Sequence, residues 1–65
     1  MHGRVVDWDE HAGFGTIEAD DGTSYFFHCT TLADGSRTID VGTGVTFDVV
    51  AGHLGRWEAA RVEKR

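Results

Sequence analysis

Proline is absent from this sequence of 65 residues, and cysteine occurs once, as Cys29. A lone thiol can form no intramolecular disulfide and cannot build a zinc site of the multi-cysteine kind, so the composition points to a reducing, cytoplasmic setting. Cations are scarce: six Lys plus Arg against eleven Asp plus Glu leave a formal net charge of -5. That balance excludes a strongly field-driven grip on duplex DNA or on an anionic membrane. No apolar run approaches the roughly 20 residues that span a bilayer, and the opening MHGRVVDWDE holds no apolar stretch of signal-peptide length, so a soluble, unprocessed chain with no membrane partner is expected. Nor do apolar residues recur at helical spacing over the about 10–12 positions a helix needs. What remains is an all-β chain, one domain over residues 1–65, with a single modest core.

The chain is organised around Gly13 to Cys29, GFGTIEADDGTSYFFHC. Asp20, Asp21 and Gly22 are a turn signal between two aromatic-bearing strands, small polar residues followed by a glycine free to take positive φ. Two loop lengths fit. A two-residue loop sets Phe14 across from Cys29 and Thr16 across from Phe27; a three-residue loop sets Phe14 across from His28 and Thr16 across from Phe26. A slip of one residue exchanges the two faces. The three-residue loop is preferred, because it gathers Ile17, Tyr25 and Phe27 on one face, with Gly15 leaving room opposite Phe27. The other face then carries Phe14, Thr16, Phe26 and His28, a row of rings that so small a domain cannot bury.

Around this hairpin, residues 3 to 8 read as a first strand through Val5 and Val6, followed by a polar loop from Asp9 to Ala12. Thr30 to Gly44 form a long connection, with Asp34-Gly35 and Gly42 to Gly44 as turn signals around Leu32 and Ile39. Residues 45 to 50 alternate, with Val45, Phe47 and Val49 on one side. A loop over residues 51–56 leads to a fifth strand, 57 to 62, with Ala60 and Val62 as its inward set. Five short strands in an open sheet would leave exposed edges, so a small five-stranded antiparallel barrel is expected.

Gly13-Phe14-Gly15 with Ile17, and Phe26-Phe27-His28, resemble the two ribonucleoprotein-type motifs, KGFGFI and VFVHF, of bacterial cold-shock domain proteins. The resemblance runs on through Gly3-x-Val5, Asp21-Gly22, Leu32, Gly44-Val45 with Phe47, and Ala59-Ala60-x-Val62. It implies a barrel of the oligonucleotide/oligosaccharide-binding type that binds single-stranded RNA or DNA, with RNA-chaperone activity. Such binding is compatible with an acidic chain, since each base stacked on an aromatic ring contributes about 1–3 kcal/mol whatever the total charge. Phe14, Phe26 and His28 match stacking positions. The pattern also departs from the family. Val6 and Ala12 stand where lysines are usual, and Asp7, Thr16, Cys29 and the vicinity of Ser36 stand where aromatics are usual, so weaker binding is expected.

Trp8 matches a partly buried family phenylalanine, which points to packing at the barrel end, with a share in the ligand site. Trp57 has no family counterpart; it either plugs the barrel or extends the ligand face from the fifth strand, with Arg56 beside it. His2, His11, His28, His53 and Cys29 lack short ligand spacings, so no metal or other cofactor is expected. Cys29 and His28 are adjacent and point to opposite faces of a strand, which does not make a nucleophile and base, and no enzyme is expected. The alternative to nucleic-acid binding is a degenerate barrel that uses the same aromatic face for a protein partner or a second copy of itself.

Overall fold

The computed structural model describes residues 1–52 and 55–65; His53 and Leu54, in the loop expected before the last strand, lie outside the described residues. Five strands follow one another: β1 (His2–Asp9), β2 (Phe14–Ala19), β3 (Ser24–His28), β4 (Gly44–Ala51) and β5 (Trp57–Lys64), with a short 3-10 turn at Cys29–Thr31. They close into a barrel in the order β1-β2-β3-β5-β4, β4 returning to β1. The pairing is mixed, not antiparallel throughout: β3 and β5 run parallel. The reason is topological. Directions cannot alternate around a ring with an odd number of members, so a closed ring of five strands must contain at least one parallel neighbour.

The β2–β3 hairpin has the three-residue loop. Phe14 pairs with His28, Gly15 with Phe27, Thr16 with Phe26 and Ile17 with Tyr25. The turn closes as Gly22 N–H donates to the Ala19 carbonyl at 2.9 Å and Ala19 N–H to the Thr23 carbonyl at 2.8 Å. Gly22 sits at φ 88, the left-handed region where a residue without Cβ is least strained. Asp21 fixes the same turn by accepting the Thr23 N–H, and that bond to its charged form holds its carboxyl below the usual carboxylate range.

Two bulges, both unmarked in the sequence, re-aim side chains. In β1, Val5 pairs with Ile17 but Asp7 with Thr16, so one residue is extra, and Val6 and Asp7 are both exposed. In β5, Thr46 faces Glu63 and Asp48 faces Ala60, and Arg61 takes a φ of 49. The inward set expected for this strand, Ala60 and Val62, is therefore corrected: Ala59 and Val62 are buried at 1% exposure each, while Ala60 is half-buried. A bulge restores the inward direction after three residues instead of two.

The core lies on the barrel axis, with Ile17, Phe27 and Val45 at 0% exposure and Phe47 at 2%. Leu32 and Ile39, the apolar pair of the long connection, are both buried at 4% and seal the barrel from the side of that loop. The expected turns form at Gly35, between the two, and at Gly42, after Ile39, and Gly42 N–H donates to the Val5 carbonyl at 2.7 Å. Tyr25 and Val49, expected on the inward side, pack half-buried against the core, Tyr25 with its ring 5.5 Å from that of Phe47.

Candidate nucleic-acid interface

Because Gly15, Ile17 and Phe27 point inward, their neighbours Phe14, Thr16, Phe26 and His28 point outward. The rings of Phe14 and Phe26 lie 5.1 Å apart and tilted by 35°. His28 stands edge-on to both, 5.1 Å from Phe26 and 6.4 Å from Phe14. Phe14 and Phe26 are half-buried and His28 is exposed. Thus three of the expected site residues form one continuous ring surface held on two hydrogen-bonded strands. It can present π-faces to planar groups, and the histidine adds a hydrogen-bond donor.

On its β1 side this surface is bordered by acids. Asp7 pairs with Thr16 and Asp9 with Phe14, and both are exposed. Asp9 also shapes the loop leading into Phe14, since its Oδ1 accepts the Ala12 N–H at 3.0 Å and its carbonyl accepts the Gly13 N–H at 2.8 Å. Asp7 makes no such bond among the described residues. Glu10, in the same loop, accepts a hydrogen bond from the Thr38 hydroxyl.

The other expected residues fall elsewhere. Trp8 pairs with Gly15 and stacks on Phe27, with ring centres 5.5 Å apart and 20° between planes, so it packs at the barrel end and stays out of the ring cluster. Its Nε1 is buried and has no hydrogen-bond partner among the described residues. Trp57 is 62% exposed and does not plug the barrel. It lies with Arg56 in an open groove of about 440 Å³ that also takes in Thr16, Tyr25 and Phe26. Thr23 and Ser24, not singled out in the sequence, line this groove as well. The parallel β3–β5 contact brings them to Trp57 across a long sequence separation that no local pattern signals.

The barrel topology and the outward ring cluster sit on a sequence that matches, over residues 1–65, the family model described as 'Cold-shock' DNA-binding domain. The chain belongs to the cold-shock domain family. Among its relatives, a cold shock-like protein CspC of Bacillus cereus is 40% identical over 65 residues, covering 98% of both chains. Cold shock protein CspC of Bacillus subtilis is 38% identical over 66 residues, again covering 98% of each. Cold shock protein CspB of Bacillus caldolyticus is 35% identical over 65 residues, covering 98% of this chain and 97% of its own.

Within this cold-shock domain no described group of three or more His, Cys, Asp or Glu side chains is placed to hold a metal ion, and no helix of the described residues is long and apolar enough to cross a membrane. Cys29 is half-buried at the start of the 3-10 turn, its Sγ close to Gly13. His28, one residue earlier, lies on the outward face.

Proposed function

We propose that this cold-shock domain binds single-stranded RNA or DNA by stacking bases on Phe14 and Phe26, with His28 as a third ring and hydrogen-bond donor, in the manner of an RNA chaperone of the cytoplasm. The observation that carries this reading is the outward ring cluster, whose members lie 5.1–6.4 Å apart on two paired strands. Stacking needs no base-edge code, so little sequence preference is expected. Trp8 contributes from behind, by fixing the strand end that carries the loop into Phe14.

Binding is weaker than the family pattern implies. Two lysines, at Val6 and Ala12, and the aromatics at Asp7, Thr16, Cys29 and near Ser36 are missing from it. At about 1–3 kcal/mol per stacked base, the loss of two productive contacts weakens binding by about tens to tens of thousands of fold. Titration of an unstructured pyrimidine oligonucleotide at low and moderate salt, followed by tryptophan fluorescence, tests the reading. Micromolar or weaker affinity that falls with salt and is lost in Phe14→Ala or Phe26→Ala agrees with it. No binding at low salt, or binding indifferent to both substitutions, refutes it and turns attention to a protein contact on the same face.

A further inference from the structure

We propose that a bound single strand leaves the aromatic face over β5, where Trp57 supplies a further stacking ring and Arg56 a phosphate contact, and not over β1. The inference rests on the reading of Phe14, Phe26 and His28 as the stacking face and adds the direction of the path. Three observations carry it. The groove beside Trp57 is continuous with the face, because Thr16 and Phe26 line both, and its volume of about 440 Å³ is within the range of small-ligand sites. Trp57 is also the most exposed of the large apolar side chains among the described residues, at 62%, an area that core packing does not explain.

Charge supplies the third observation. On the β1 flank the exposed carboxylates of Asp7 and Asp9 stand across from Thr16 and Phe14, against an approaching phosphate backbone. On the β5 flank the charged residue lining the groove, among the described residues, is Arg56. Glu58, which pairs with Phe26, is half-buried and folded against Gly52, where an added Cβ would run into its carboxyl group, and it does not line the groove. The domain has an acid at Asp7, where the family pattern carries an exposed ring on β1, and has an exposed ring on β5. A strand that follows the rings and avoids the acids crosses β2 and β3 and exits past Trp57.

Fluorescence anisotropy with labelled oligothymidylates of about three and about six nucleotides tests this path. The shorter probe is filled by Phe14, Phe26 and His28; the longer one reaches the groove. Trp57→Ala should weaken the longer probe about tenfold, leave the shorter one unchanged, and be rescued by Trp57→Phe. Arg56→Gln should reduce the slope of log affinity against log salt by about 0.7 for the longer probe, the value for one phosphate on a single strand. Thermal melts establish that each variant is folded. If Trp57→Ala and Arg56→Gln bind both probes like the parent while Phe26→Ala abolishes binding, the β5 exit is wrong and the stacking face stands. If Phe26→Ala binds like the parent too, the stacking face itself has failed and the path with it.

Discussion

The indole of Trp8 lies nearly flat on the ring of Phe27, 5.5 Å between centres, and this stack closes one end of the barrel. Phe27 is fully buried, whereas its sequence neighbour Phe26 faces outward. Phe27→Ala therefore leaves a cavity beneath Trp8 and should cost about 3–5 kcal/mol, close to the whole stability of so small a domain. Phe26→Ala should cost about 1 kcal/mol. Urea or thermal melts of the two variants separate them, and equal losses would place Phe26 in the core.

Gly15 sits under the same stack. A Cβ there would run into the Asp7 carbonyl and the Trp8 ring, and the carbonyl belongs to a strand that cannot shift without breaking the β1–β2 ladder. Gly15→Ala should thus destabilise by about 3 kcal/mol. Gly22→Ala meets nothing within 4 Å among the described residues and carries only the strain of its φ of 88, about 1 kcal/mol. Chemical denaturation should rank Gly15→Ala well below Gly22→Ala in stability; the reverse order would contradict the packing described.

The outward face can be rebuilt. Ala12→Lys together with Thr16→Phe adds a cation close in sequence to Phe14 and a ring across from Phe26, the partner of Thr16 in the β2–β3 register. Affinity for an unstructured oligonucleotide should rise at least about tenfold, with a steeper salt dependence. An unchanged affinity would remove the aromatic face from consideration as the binding surface.

Asp34 links the long connection to the C-terminal strand. The Ser36 hydroxyl and N–H both donate to its Oδ1, at 2.7 and 2.9 Å, and Lys64 Nζ lies 3.3 Å from its Oδ2. These partners, the Ser36 hydroxyl foremost, lower its pKa from 3.8 to about 2. A carboxyl with a depressed folded-state pKa stabilises the fold fully above its unfolded value and loses that contribution as pH falls through the folded one. The stability gap between the parent and Asp34→Asn should accordingly be constant from neutral pH down to about pH 5 and close toward about pH 2. A gap that persists at the acid end would mean that the carboxylate is not what holds the loop.

Much of the architecture is legible in local pattern. Asp20-Asp21-Gly22 mark the turn but fit two loop lengths; the gathering of Ile17, Tyr25 and Phe27 on one face, with Gly15 opposite Phe27, selects the register that forms, and that register determines which rings face outward. The alternation in residues 45–50 places Val45 and Phe47 inside. The features that escape the sequence depend on partners far along the chain. Nothing near Ala59 to Val62 announces the bulge that the pairing with β4 shows, so simple alternation points to Ala60 for the place that Ala59 holds. Local pattern leaves Trp57 unplaced because its neighbours, Phe26 and Thr16, come from the hairpin through a parallel strand contact. The parallel seam itself is implicit in the count of five strands closing on themselves, a constraint of topology that no side chain records.

That seam also has a dynamic consequence. Within the strands, β3 and β5 meet at Phe26 and Glu58, and past the end of β3 the join continues as the Leu32–Val62 bridge, with Ala33 N–H on the Val62 carbonyl at 2.8 Å. A barrel breathes where its ladder is shortest, so backbone amides along this join should exchange with solvent deuterium sooner than those of the long β1–β2 and β4–β5 ladders. An oligonucleotide lying across Phe26 and Trp57 would bridge both lips of the join and act as a clasp. Its binding should slow deuterium uptake at the seam far more than elsewhere, which would make the ligand the last stave of the barrel.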